Sequence, residues 1–405
     1  MPAPSHERAP DGTAEGMTVA QHVLVTGGAG YIGSHACKAL KRAGYVPVTY
    51  DSLVTGWEQA VRFGPFEKGD LADRARLDAV FATWRPVAVM HFAALSQVGE
   101  AMREPGKYWR GNVAASLTLI EAAVAAGCLD FVFSSTCATY GDQDGVVLTE
   151  DTPQAPINAY GASKRAIEDM LRDFGAAHGL RSVIFRYFNV AGADPEAEVG
   201  EFHDPETHLI PLILDTIAGR RESLTVFGSD YPTRDGTCIR DYVHVADLVD
   251  AHVLGLKALA AGGVAPGGSE VFCLGSGDGF SVREVIDAAR RITNREVPVV
   301  MGERRAGDAV SLVCGSEKAA RVLGWQPAHS DLGTMIADAW RVDRSIGWDR
   351  RQPGGPVLDR GADRNDGPET DLKTSAETGL NNGAIRRGGA GPSPAVTPGA
   401  RPSGR

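Results

Sequence analysis

Tyr160 and Lys164, four residues apart in Tyr160-Gly161-Ala162-Ser163-Lys164, are the pair in this sequence best suited to moving a proton. On a helix, positions i and i+4 share a face, so the ammonium can lie near the phenol. A phenol ordinarily titrates at roughly pH 10, and a neighbouring cation favours its ionised form. A base usable near neutrality results. Read alone, the same spacing also describes an aromatic ring resting on a lysine stem. Its place downstream of a hydroxyl-rich strand end, Ser134-Ser135-Thr136, favours the proton chemistry.

A second constellation is Thr26-Gly27-Gly28-Ala29-Gly30-Tyr31-Ile32-Gly33, directly after the apolar run His22–Thr26. Gly27 suits a tight strand-to-helix turn, and Gly30 lets a pyrophosphate approach bare backbone N–H groups. Gly33 then lets the helix lie close to the sheet. A glycine-rich turn without a ligand has the same composition. What separates the two readings is Asp51, which ends the next strand 18 residues past Gly33. A carboxylate there accepts hydrogen bonds from a ribose 2′-OH and repels a 2′-phosphate, so the expected cofactor is NAD rather than NADP. The positive nicotinamide ring would further favour a Tyr160 phenolate.

These residues need a scaffold, and the apolar pattern supplies one. Short runs at His22–Thr26, Val46–Tyr50, Val87–His91, Phe131–Ser135 and Ser182–Arg186 read as strands. Helical spacing fills Ile32–Ala43, Asn112–Ala126 and Ser163–His178 between them. Strands apolar on both faces, separated by helices, predict a parallel sheet covered on both sides. The fold class is therefore α/β, a Rossmann-type doubly wound parallel sheet with a smaller C-terminal substrate-binding α/β lobe. The expected organisation is a disordered extension over 1–18, an NAD-binding Rossmann domain over 19–190, and a second, smaller domain over 191–346. About 237–260 are expected to return to the first domain, and 347–405 to form a disordered tail. Met17, just before the first apolar run, offers a second start codon.

Composition removes other classes. Lys and Arg total 41 against 51 Asp and Glu, a net charge of −10 that repels phosphate backbones and argues against nucleic acid as a partner. No apolar run approaches the roughly 18 residues of a membrane span. The six cysteines, Cys37, Cys128, Cys137, Cys238, Cys273 and Cys314, form no CxxC pair. That fits a reducing, cytoplasmic compartment rather than a disulfide or zinc scaffold.

Further segments surround the two motifs: VTGGAGYIGSH (25–35), HFAALSQVGEA (91–101), FVFSSTCATYGD (131–142), AYGASK (159–164) and RYFNVAGA (186–193). THLIP (207–211), VFGSDYPTRDGTCIRDYVHV (226–245) and RRAGDAVSLV (304–313) follow. As a set, from about residue 20 to 345, they resemble the UDP-glucose 4-epimerase family of the extended short-chain dehydrogenase/reductase superfamily. The resemblance implies reversible 4-epimerisation of a UDP-sugar, UDP-glucose and UDP-galactose first, through a 4-keto intermediate with tightly bound NAD. It assigns proton transfer to Tyr160, with Thr136 relaying and Lys164 binding the nicotinamide ribose. For the cofactor it adds Tyr31, Ile32, Asp70, Leu71, Asn112 and Tyr187 to Gly27, Gly30, Gly33 and Asp51. For the substrate it implies Phe188, Asn189, His208 and Leu209 near sugar and diphosphate, with Phe227 near the uracil. Arg240 and Arg305 match diphosphate contacts, which suits the planar donors of guanidinium. Asp308 matches a ribose contact. A homodimer is also implied, through helices such as Asn112–Ala126.

Departures from the family's pattern carry expectations of their own. Thr136 stands where serine is more familiar, and Ser96 where a lysine near the cofactor often occurs. His208 replaces an amide, keeping a donor but adding pH dependence. Leu312 occupies a position that is tyrosine in enzymes restricted to UDP-hexoses, which predicts at least weak turnover of UDP-N-acetylglucosamine. UDP-xylose/arabinose and UDP-glucuronate are the other substrate readings. His203 and His208 lie in HDPETH beside Glu201, Asp204 and Glu206. Their spacing matches no ligand motif and the chemistry needs no ion, so no metal is expected. A 4,6-dehydratase would need an acid pair where Cys137 and Ala138 stand. A non-catalytic NAD-binding sensor would not need the tyrosine–lysine pair.

Overall fold

Strands with apolar side chains on both faces must be covered twice, and the computed structural model shows how, over described residues 20–143, 145–305 and 309–346. The first five strands of the large sheet are β1 (His22–Thr26), β2 (Val46–Asp51), β3 (Phe66–Lys68), β4 (Ala88–His91) and β5 (Asp130–Ser134). Strands Arg181–Tyr187 and Ser269–Leu274 complete it. From one edge the order is Ser269–Leu274, Arg181–Tyr187, β5, β4, β1, β2, β3. Every pairing is parallel, with Val23 facing Pro47 on one side and Ala88 on the other. The order reverses beside β1, which puts a crevice at the C-terminal ends of β1 and β4.

Alternation along the strands divides the core in two. Val23, Val25, Met90, Val132 and Phe185 pack under α1 (Tyr31–Arg42) and the helix Val245–Ala260. Leu24, Val89, Phe131, Phe133 and Ile184 pack under the helices Arg74–Trp84, Ala115–Ala125 and Ala159–His178. The last of these begins where Asn158 accepts a hydrogen bond from Gly161 N at 2.8 Å, and ends at Gly179 with φ +76°. Tyr160 is thereby placed in its first turn.

A third core joins helices Leu209–Ile217, Val282–Thr293 and Leu332–Ser345 through Ile213, Leu214, Ile286, Met335 and Ile336. Around it lie small sheets: Asn189–Ala191 paired with Tyr242–His244, and Ile239–Arg240 between Phe280–Ser281 and Ser311–Cys314. The strand Ser269–Leu274 returns to the large sheet, a crossing that the pattern beyond residue 190 did not reveal. All described residues fall in one compact unit. The segments expected to be disordered, 1–18 and 347–405, lie outside the described residues. Among those described, no helix is long and apolar enough to cross a membrane. All six cysteines are free and buried, and burial pushes the Cys37 and Cys128 thiols up to about 12.

Candidate active site

β1 ends in the glycine turn. Gly27 has φ +73°, a conformation open to glycine at little cost, and a Cβ on Gly33 would lie 2.1 Å from the Gly27 carbonyl oxygen. The first turn of α1 therefore rests directly on the strand end. Gly30 caps α1 with no side-chain hydrogen bond, so no side chain stands between the helix's first N–H groups and a phosphate. Across the turn, Asp51 ends β2. Its Oδ2 accepts from Ala29 N at 3.0 Å and its Oδ1 from Leu53 N at 2.8 Å. Burial raises the carboxyl's pKa against the pull of these bonds. Each oxygen keeps a second lone pair, the acceptor capacity that a ribose diol needs. The cradle fits a dinucleotide.

The rest of the expected cofactor set surrounds it. Tyr31, the first residue of α1, donates its hydroxyl to Gly192 O at 2.7 Å, and Ile32 packs against the first core. Tyr50 donates to Asp70 O at 2.8 Å, and Leu71 is buried. Asn112 is wholly buried in a π-helical turn, Trp109–Ala114. Its amide bonds Leu95 N at 2.8 Å, Leu95 O at 3.0 Å and Ser163 Oγ at 3.0 Å. It ties the segment after β4 to the helix that carries Tyr160 and Lys164.

The proton-handling groups meet at the end of β5. Thr136 follows that strand and caps the short helix Cys137–Tyr140, accepting from Ala138 N at 3.1 Å. The Thr136 hydroxyl lies near enough to the Tyr160 phenol to lower its pKa. Gly161 makes this approach possible, because a Cβ there would lie 2.3 Å from Ala138 O. Lys164 is buried, donates to Ser134 O at 2.9 Å, and lies 4.9 Å from the Phe133 ring centroid. Tyr187 shares a short hydrogen bond with Ser134 Oγ.

The electrostatics differ from the sequence expectation. Burial pushes the Tyr160 phenol up to about 12, and the Thr136 hydroxyl only partly offsets it. Burial also pulls the Lys164 ammonium down to about 7, opposed by the Glu168 carboxylate. Desolvation of each group outweighs the help its neighbours, Thr136 and Glu168, give it. A nicotinamide ring bound beside Tyr160 would supply charge that the protein does not.

Two residues absent from the motif reading support the pair. Glu168, a further turn along the helix from Lys164, is wholly buried; Arg186 holds it at 3.0 and 2.5 Å. Ser135 adds a bond at 2.6 Å, and Arg186 also donates to Tyr140 at 2.8 Å. The signal was present as YxxxKxxxE, three residues on one helix face. His91 ends β4 between Thr26 Oγ1 (2.6 Å) and Ser116 Oγ (2.8 Å). Burial, with Lys164 nearby, lowers it to about 3, so it is neutral.

The residues expected at the substrate are joined in pairs. Asn189 donates through Nδ2 to Asp241 O at 2.9 Å, and Phe188 packs on the buried group Cys137, Tyr140 and Cys314. Arg240 lies opposite Leu312 on the neighbouring parallel strand. The Arg305 guanidinium sits 4.0 Å from the Phe227 ring centroid, a flat cationic and aromatic stack. His208 caps the helix Leu209–Ile217, which starts at Leu209. Asp308 lies outside the described residues.

The HDPETH segment folds into a tight cluster. His208 Nδ1 lies 2.9 Å from Glu206 and 3.1 Å from Glu201, while His203 Nδ1 lies 3.2 Å from Glu201. Against the pull of burial, the two carboxylates raise His203 to about 9 and His208 to about 10. Tyr31 of the glycine turn meets the His203 ring edge-on, at 6.2 Å between centroids.

A doubly wound sheet, a glycine cradle at its switch point, and a buried tyrosine–lysine pair together define a dinucleotide-dependent α/β enzyme. Residues 23–268 match the model of the NAD dependent epimerase/dehydratase family, and the chain belongs to that family. Its cofactor is NAD. The chain is similar to the UDP-glucose 4-epimerase of Rhizobium meliloti (strain 1021), 50% identical over 335 residues, which cover 82% of this chain and 99% of that protein. Among solved structures it is similar to UDP-glucose 4-epimerase from Brucella ovis in complex with NAD. That likeness has TM-score 0.77 and 48% identity, over 80% of this chain and 98% of the other. The UDP-glucose-4-epimerase from Stenotrophomonas maltophila, with bound NAD and formylated UDP-arabinopyranose, gives TM-score 0.76 at 38% identity, again over 80% and 98%.

Proposed function

We propose that this protein interconverts UDP-glucose and UDP-galactose by epimerisation at C4 of the sugar. The observation that carries this reading is the convergence at the end of β5 of Thr136, whose hydroxyl lowers the Tyr160 pKa, and Lys164, which donates to Ser134 O. When bound, NAD supplies reversible acceptance of hydride at the sugar's C4. Tyr160 takes the proton from the 4-hydroxyl, Thr136 relays it, and the same pair returns it to the 4-keto sugar after that sugar has turned over. Lys164 binds the nicotinamide ribose and, when protonated, adds positive charge to the site. Gly27, Gly30, Tyr31, Ile32 and Gly33 take the pyrophosphate, Asp51 the adenosine ribose. Asp70, Leu71 and Tyr187 line the same pocket, and Asn112 positions it.

For the substrate, Arg240, Arg305 and His208 neutralise the diphosphate of an otherwise acidic protein. Phe188, Asn189 and Leu209 border the sugar, and Phe227 stacks on the uracil. Residues 19–190 with 237–260 carry the cofactor, and 191–346 the nucleotide sugar. The enzyme works as a homodimer in the cytoplasm; its six unpaired, buried thiols suit that compartment. A second reading, turnover of UDP-N-acetylglucosamine, is favoured by Leu312, which stands beside Arg240 and is smaller than a tyrosine.

The test is incubation of the purified protein with a panel of UDP-sugars, with no NAD added and the products separated by chromatography. UDP-galactose is expected to give UDP-glucose, and Tyr160→Phe to be slower by about 10²–10⁴-fold, the usual worth of a positioned base. Full-speed turnover by that variant sinks the mechanism.

A further inference from the structure

Two clusters among the described residues gather three or more metal-ligating side chains: Asp194, Glu196 and Glu198, and Glu201, His203, Glu206 and His208. The first already holds its cation. Lys38 Nζ lies 2.6 Å from Asp194, 2.8 Å from Glu196 and 2.6 Å from Glu198. The second contains no lysine or arginine, and its carboxylates are offset only by the His203 and His208 rings, whose protons a metal ion would displace. One donor atom from each of its four side chains lies within 4.8 Å of the other three.

We infer that Glu201, His203, Glu206 and His208 form a four-coordinate site for a divalent cation of the zinc type, His208 binding through Nδ1 and keeping Nε2 for the diphosphate proposed above. Two imidazole nitrogens with two carboxylate oxygens are a donor set that zinc accepts readily. At Zn–N and Zn–O bonds of about 2.0–2.1 Å, tetrahedral donors stand about 3.3 Å apart. The nitrogen–oxygen separations here are 2.9, 3.1, 3.2 and 3.7 Å. These nitrogen–oxygen edges, the first to Glu206 Oε1 and the last to Glu206 Oε2, are near that length, and the four donors lie within 4.8 Å of one another.

Two atoms of the cluster have ion-pair contacts but make no hydrogen bond. His203 Nδ1 and Glu206 Oε2 are both buried, and neither has a hydrogen-bond partner. They face each other at 3.7 Å, and the Glu206 side chain is only 6% exposed. A buried carboxylate oxygen without a donor is costly, and a cation between these atoms would satisfy both. Glu206 is also held for the task, since its other oxygen accepts from Thr207 N at 2.7 Å and His208 N at 2.8 Å. Such outer bonds orient a ligand. The ion would brace the loop before the helix Leu209–Ile217 against Tyr31.

The experiment uses the full chain, treated with a chelator, desalted and titrated with ZnCl2 against a competing indicator dye. One zinc per chain is expected, retained through a second desalting and read by elemental analysis, together with a rise in Tm. The Glu201→Gln/His203→Gln double variant is expected to bind on the order of 100-fold more weakly and to show no zinc-dependent rise in Tm. Equal zinc retention by that variant, or no retention by the wild type, overturns the site. Should the variant fail to fold, Co2+ on the wild type decides. Visible bands of a four-coordinate nitrogen–oxygen site, displaced by Zn2+, support the inference, and their absence refutes it.

Discussion

Burial acts on Lys164 in a direction that a stability measurement can read. Its ammonium is pulled from 10.5 to about 7, so between those values the unfolded chain binds a proton that the folded chain does not. Stability attributable to this group is therefore fully present above the unfolded value and lost as pH falls through about 7. Lys164→Met removes the titration. The Tm of that variant relative to wild type is expected to be higher at pH 6 than at pH 9, by on the order of 2 °C or more for a chain of this size. Turnover is expected to fall by about 10²-fold or more, because the group proposed to hold the nicotinamide ribose goes with the lysine. Thermal melts at the two pH values, with product chromatography, check both halves. The tyrosine–lysine spacing was legible in the sequence because i and i+4 positions share a helix face. The balance of charge and burial around the pair was not, since desolvation depends on every element packed above it.

At the scale of elements, one glycine sets the distance between two catalytic groups. A Cβ at Gly161 would lie 2.3 Å from the Ala138 carbonyl oxygen, which belongs to the short helix capped by Thr136. Gly161→Ala is expected to push the Tyr160 helix away from Thr136. Small misplacements of this kind cost up to about 10²-fold in rate, so kcat is expected to fall by roughly 10–100-fold with KM nearly unchanged. Steady-state kinetics on UDP-galactose test it; an unchanged kcat would show that the helix has slack. The strands at the centre of the sheet were readable to within a residue because they are apolar on both faces. His22–Thr26 was read with its observed bounds, and Val87–His91 is observed as Ala88–His91. Two-residue strands such as Ile239–Arg240 carry no such periodicity. The buried Glu168–Arg186 pair was missed because charged residues on a helix ordinarily face water, and only the tertiary fold seals this one. In HDPETH, loop closure brings together side chains that linear spacing holds apart.

Across the whole molecule, Lys38 of α1 fastens the dinucleotide-binding layer to the segment after Asn189–Ala191. Its side chain and that of Asp194 are 8% and 3% exposed, a buried pair with two further carboxylates at its rim. Despite burial, Lys38 holds the Asp194 carboxyl below its usual range, and it lowers Glu196 as well. Depressed carboxyl values contribute stability above their unfolded pKa, and that stability is lost as pH falls through the folded one. Lys38→Met is therefore expected to cost on the order of 3 kcal/mol at pH 7, with the difference shrinking towards pH 3 as the acids take up protons. Chemical denaturation at both pH values measures it, and a pH-independent difference would mean that packing, not charge, is what the lysine provides.

The six enclosed thiols have a use of their own. An alkylating reagent reaches none of them while the chain is closed, so each acquires a label only when its own segment breathes. Cys37 keeps time for α1, Cys128 for the loop before β5, and Cys314 for the far small sheet. Mass spectrometry of trapped adducts would rank these regions by how often they open, and addition of a nucleotide sugar would reveal which of those stopwatches it slows.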